Sequence, residues 1–164
     1  MNQPIRITPI GDEEAALWRL AREVSGLLDG LPWVLIGGLM VRILEAVGGR
    51  QALDRRRIVR IDAGAGPFAL PLPSLLAAII MKARVVSNTA GRTGRSKHQR
   101  DLARLLALVP DPASLRREMS KKEHACLRER GELLDPGHPA WTRVAHAEDG
   151  IVALEILAGT QLRE

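Results

Sequence analysis

Gly37 and Gly38 stand out as residues whose type and spacing could do chemistry, because "WVLIGGLMV" runs from an apolar stretch through two glycines into an amphipathic one. Such a pair lets backbone N–H groups approach an anion at the positive end of a helix, and it equally serves as a tight turn. Asp62 closes "RIVRID" two residues before Gly64, so it is either a reactive carboxylate or the start of a hairpin turn. Lys82 lies near the end of the apolar run "LLAAIIMKARVV", where a lysine more often snorkels to solvent than grips a nucleotide. Lys97 and Asp101 have the spacing of an i, i+4 helical ion pair, in the less favourable Lys-first order. Arg92 and Arg95 fall in "VSNTAGRTGRSK", which reads as a basic loop over residues 86–97 that an anionic ligand would order.

Other chemistries find little support. His98, His124, His138 and His146 share no ligand spacing, and no serine sits in a nucleophile-elbow pattern. Cys126 is the only cysteine, so neither an internal disulfide nor a structural zinc site is expected. Asp54 with Arg55, Arg56 and Arg57 reads as a solvated basic edge.

The elements needed to position these residues are legible from periodicity. Leu17, Leu20, Ala21, Val24, Leu27 and Leu28 form a helical apolar stripe over residues 12–28, with Asp12, Glu13 and Glu14 at its start. Residues 33–36, 57–62 and 68–72 read as strands, the last two as a hairpin around Gly64 and Gly66. Helices are expected over 39–47, over 75–85 with Ser74 as cap, and over 96–109, opened by Ser96-x-x-Gln99. Another begins near Ala113, and Ser120-x-x-Glu123 opens one that stops near Gly131. Residues 133–141 read as an irregular connection, and 151–162 as a last helix. The expected class is α+β: a small mixed sheet flanked by helices, with a helical C-terminal half. One domain spans 1–164, with a sheet-bearing core at 33–72 and a mainly helical part at 74–164.

Composition narrows the partners. A hydrophobic share of 46% in 164 residues suits one packed core, and a net charge of +5 favours an anionic partner. Three tryptophans and one phenylalanine are too few for base-stacking platforms. The N-terminus lacks signal-peptide character, and the most apolar segment, 70–81, is broken by Pro71 and Pro73. A soluble cytoplasmic protein without membrane contact is expected.

Taken in order, "LIGGLMV", "VRIDAG" and "LPLPSLLAAIIMKARVV…KHQRDLARLLALV" make residues 33–109 resemble the nucleotidyltransferase-fold family of AbiEii/AbiGii-type toxins. The resemblance implies a protein that binds a nucleoside triphosphate with Mg²⁺ and transfers a nucleoside monophosphate, with RNA or a cognate antitoxin as further partners. It makes Gly37 and Gly38 the phosphate turn, Asp62 the catalytic and metal-binding carboxylate, and Lys82, Arg95 and Lys97 the cations that meet the triphosphate. Asp101 becomes a structural or salt-bridge residue. The chain departs from that pattern in one respect: it contains no Asp-x-Asp, so the pair expected after residues 39–47 is missing. The stretch 46–48 reads as a junction where central strands have been lost, giving a truncated version of the fold. Two divalent cations need several oxygen ligands, so transfer is expected to be weak or lost. Glu45 is the candidate second carboxylate. The alternative is a non-enzymatic basic module that binds RNA, DNA or a protein through residues 92–100 and Arg55 to Arg57; a truncated product with no activity of its own is the third.

Overall fold

The computed structural model describes residues 4–29, 35–47, 57–64, 66–88 and 92–160. Its sheet has three strands in the order β1 (Ile5–Arg6), β2 (Arg57–Asp62), β3 (Phe68–Leu72). β1 runs parallel to β2, and β2 pairs antiparallel with β3 in the register Val59↔Leu70 and Ile61↔Phe68. Strand alternation turns Val59, Ile61, Leu70 and Leu72 into the core, while Ile58 and Arg60 face outward. The class is therefore α+β with a small mixed sheet, as expected, and the β2–β3 hairpin has the expected bounds.

The outer edge of β3 is covered rather than open, which blunts its capacity to pair with another chain. Ser25 Oγ donates to Ala69 O at 2.6 Å, and Leu35 N–H donates to Pro71 O at 2.7 Å. The expected strand at 33–36 is not a strand at Leu35 and Ile36, and Trp33 and Val34 lie outside the described residues. β1 was not anticipated, because two ladder residues carry no periodicity of their own.

α1 (Gly11–Leu27) occupies the expected stretch, but its apolar stripe is turned only partly inward. Trp18 and Ala21 are buried, whereas Leu17, Leu20 and Leu27 are exposed. Glu14 anchors the helix: its carboxylate accepts the Ile10 N–H at 2.7 Å, the Trp18 indole N–H at 3.3 Å and Arg42 Nε at 3.3 Å. Arg42 belongs to α2 (Gly38–Val47), which leaves the glycine turn as expected and buries Met40, Val41, Ile43 and Leu44.

α3 (Leu75–Asn88) starts on Ser74, whose Oγ accepts the Ala77 N–H at 3.2 Å, and it packs against α4 (Arg92–Leu106). Residues 92–97 are thus helical rather than loop, and Ser96 lies inside the helix instead of capping it. Arg, Ser and Lys are adequate helix formers, and a helix fixed by its buried face at Leu102, Ala103, Leu105 and Leu106 extends backwards at one hydrogen bond per added residue.

α5 (Pro112–Glu118) is capped by Asp111, and α6 (Lys121–Arg128) carries the expected capping box between Ser120 and Glu123. The Ser120 N–H holds the Glu123 carboxyl below the ordinary carboxylate range against the opposing effect of burial. Short 3₁₀ turns at Gly131–Leu134 and Pro139–Trp141 lead to α7 (Ala147–Ala158). α7 begins four residues before the expected start at Ile151, with Glu148 and Asp149 in its first turn. Gly150 allows that: a Cβ there would lie 2.7 Å from the Trp141 ring and 3.0 Å from Ala107 N.

Two measurements follow from these contacts. Gly150→Ala should cost about 1–3 kcal/mol in urea unfolding, because the clash outweighs the better helix propensity of alanine. Burial pushes the Glu14 pKa up, but the Ile10, Trp18 and Arg42 bonds together outweigh it and leave it lowered. Stability from a lowered carboxyl is present above its unfolded pKa and lost as pH falls through the folded one. The destabilisation caused by Glu14→Gln should therefore shrink as pH falls from about 7 to about 3.

Candidate functional site

The sequence-derived site residues do not gather at one place. Gly37 has φ 98°, a conformation that favours glycine, and it turns the chain into Gly38 at the first position of α2. Among the described residues, a Cβ at either glycine would meet nothing within 4 Å. Asp62 lies elsewhere. The Ile7 N–H donates to Asp62 O at 2.9 Å, and Ile7 lines a cleft of about 360 Å³ with Arg6, Thr8, Arg42, Glu45 and Ala46. That cleft puts the Asp62 main chain beside the C-terminal half of α2, while the glycines are at its start.

The Asp62 side chain performs the turn role: Oδ1 accepts the Gly64 N–H at 3.0 Å. Glu45, the candidate second carboxylate, is engaged by Arg104 Nε at 3.5 Å. Among the described residues no three His, Cys, Asp or Glu side chains come together as a metal-holding group. A two-Mg²⁺ seat does not fit these donors, since one partly engaged carboxylate supplies too few oxygens.

Lys82 and Asp101 are brought together. Lys82 Nζ donates to Asp101 Oδ2 at 2.5 Å, and the side chains retain only 7% and 9% of their exposure. The pair ties α3 to α4 from positions 19 residues apart. It replaces both local readings: Lys82 does not snorkel to solvent, and the partner of Asp101 is Lys82, not Lys97. Lys97 and Arg95 are exposed on α4. Arg95 Nη2 is 3.9 Å from Glu132 Oε1, which also accepts from Gln99 Nε2 at 3.3 Å. α4 packs against α2, so the exposed cations and the glycine turn belong to contacting helices.

Two polar residues not singled out from sequence, Arg130 and Glu132, are central to this region together with Gln99, expected only as half of a capping box. Gln99 and Arg130 are buried, and Glu132 lies between them, 3.9 Å from Arg130 Nη1. His98 Nδ1 and Arg130 Nε and Nη1 are buried without a hydrogen-bond partner among the described residues. A lone arginine before a glycine reads as surface in a sequence, and no spacing signal would have found it. Cys126 is half-buried, and burial raises its thiol pKa against the lowering influence of Arg84 and Arg130. A thiol held protonated is a poor nucleophile.

No protein-family model, curated protein or solved structure matches the chain. No helix among the described residues is long and apolar enough to cross a membrane.

The buried pair makes a quantitative expectation. Lys82→Met or Asp101→Leu alone leaves an uncompensated buried charge and should cost about 3–5 kcal/mol in urea unfolding. The double substitution should cost less than either single one, because it removes both charges. Single substitutions that leave stability unchanged would contradict a structural pair.

Proposed function

We propose that this chain is a nucleotidyltransferase-like protein of the AbiEii toxin type that binds a nucleoside triphosphate and performs little or no nucleotidyl transfer. The observation that supports this reading best is the Lys82–Asp101 pair. The two residues that carry the later part of the resemblance, in "MKA" and "RDL", are each other's partners across α3 and α4. A pairing between motif residues so far apart in sequence is what a shared architecture calls for, and chance similarity in order does not require it.

In this reading the work is divided. Lys82 belongs to the scaffold, because its ammonium is already committed to a carboxylate. The phosphates lie at the Gly37–Gly38 turn, where the first N–H groups of a helix and its dipole favour negative charge. Arg95 and Lys97 supply mobile positive charge from α4. Mg²⁺ would accompany the triphosphate, but Asp62 and Glu45 do not make a two-cation seat, so no transfer step is assigned. The exposed Arg95, Lys97 and Arg100 also suit a nucleic-acid backbone or an acidic antitoxin, which is the competing reading.

Calorimetric titration distinguishes these. The wild type should bind at least one Mg²⁺-NTP, and the double variant Arg95→Ala, Lys97→Ala should raise Kd at least ~10-fold with unchanged thermal stability. No heat with any NTP for folded protein would overturn the nucleotide reading. Affinity for RNA that falls steeply with salt, together with no NTP heat, would select the basic-module reading.

A further inference from the structure

We propose that the exposed face of α1 is a self-association surface, on which two copies of this chain pair α1 antiparallel to α1 about a two-fold axis. The inference stands apart from nucleotide binding and rests on where apolar surface is left uncovered. Among the described residues eight large hydrophobics are exposed, and six of them (Ile10, Leu17, Leu20, Leu27, Ile36 and Ile58) belong to the first part of the chain. Scattered exposed leucines need no explanation, but a contiguous stripe does.

On α1 the stripe is contiguous. Leu17, Leu20, Val24 and Leu27 follow i, i+3, i+7 and i+10, one side of a helix. Leu17, Leu20 and Leu27 keep 47%, 55% and 80% of their exposure, and Val24 is half-buried. Trp18 and Ala21 occupy the adjacent side and already fill the core, so the stripe is not the helix's own docking face. Ser25 bonds Ala69, two residues on is Pro71, and Pro71 is the cross-strand neighbour of exposed Ile58 and the acceptor for Leu35, next to exposed Ile36.

Charge decides the occupant. The border of the stripe away from the protein body carries Ala16, Arg19 and Glu23, all exposed. An antiparallel two-fold pairing centred near Ala21 sets Arg19 of each copy opposite Glu23 of the other, so the border is complementary to itself. Small Ala16 allows close approach. A membrane surface fits less well, because Asp12 and Glu13 in the first turn face anionic headgroups with like charge. The same acids disfavour a nucleic-acid backbone. A contact built mainly on one helix pair is smaller than the roughly 800 Å² per partner of a standard interface, so the dimer should be weak and reversible.

The test is sedimentation velocity of the full chain from about 1 to about 300 µM. The wild type should move with concentration from the 17.9 kDa monomer towards twice that mass. Leu20→Asp should remain monomeric with unchanged circular dichroism, since Leu20 lies outside the core. Arg19→Glu and Glu23→Arg should each raise the dissociation constant ~10-fold, and the double reversal should restore it. A wild type that is monomeric at every concentration would overturn the proposal. So would a dimer indifferent to Leu20→Asp, or one that the double charge reversal fails to restore.

Discussion

The Lys82–Asp101 ion pair is the constraint on which the helical half of this protein depends. Each charge alone would carry a desolvation penalty of several kcal/mol at its depth, and only their contact in a fixed geometry offsets it. That requirement sets the register of α3 against α4. Once α4 is fixed, its other surfaces reach outward: Arg104 meets Glu45 on α2, Gln99 meets Glu132 on the first 3₁₀ turn, and Leu102, Leu105 and Leu106 join the core. α4 also packs against α7 and the Pro139–Trp141 turn, so it connects the sheet-bearing part to the C-terminal helices.

The same pair redistributes the functional burden. A lysine held by a buried carboxylate is not free to meet a phosphate, so the proposed nucleotide reading rests on the glycine turn and the exposed cations of α4. Asp62 has one oxygen in its own turn and lies toward the other end of α2. Glu45, which could have shared a cation with it, is committed to Arg104. Asp62 is thus engaged in its own turn, and Glu45 in an ion pair between α2 and α4.

What the sequence made legible was local. "RIVRID" and "FALPL" with Gly64 and Gly66 between them specify a hairpin by β-branched content and turn residues, and Ser120 with Glu123 specifies a helix start by reciprocal hydrogen bonding. What it hid was set by tertiary contact. The spacing of Lys97 and Asp101 pointed to a helical pair, but a buried carboxylate takes the partner that shares its burial, and that was Lys82, on another helix. Residues 92–97 have the look of a loop because Thr93 and Gly94 are poor helix formers in a basic, polar stretch, whereas docking of the following turns carries the helix through them. Of the apolar stripe on α1 only Ala21 is buried, beside Trp18, while Leu17, Leu20 and Leu27 stay exposed, and periodicity alone does not say which part of a stripe the core takes. Arg130 and Glu132 gave no signal, since their burial arises from packing and not from any motif.

In the proposed reading labour is divided among the residues of the resemblance: Lys82 and Asp101 hold the scaffold, while Gly37, Gly38 and the exposed face of α4 meet the ligand. Amide chemical-shift mapping during titration with a non-hydrolysable Mg²⁺-NTP tests it most directly. Shifts are expected at Gly37, Gly38 and Lys97, with Lys82 and Asp101 unmoved. Shifts centred on Lys82 and Asp101, or a spectrum that does not change, would contradict it.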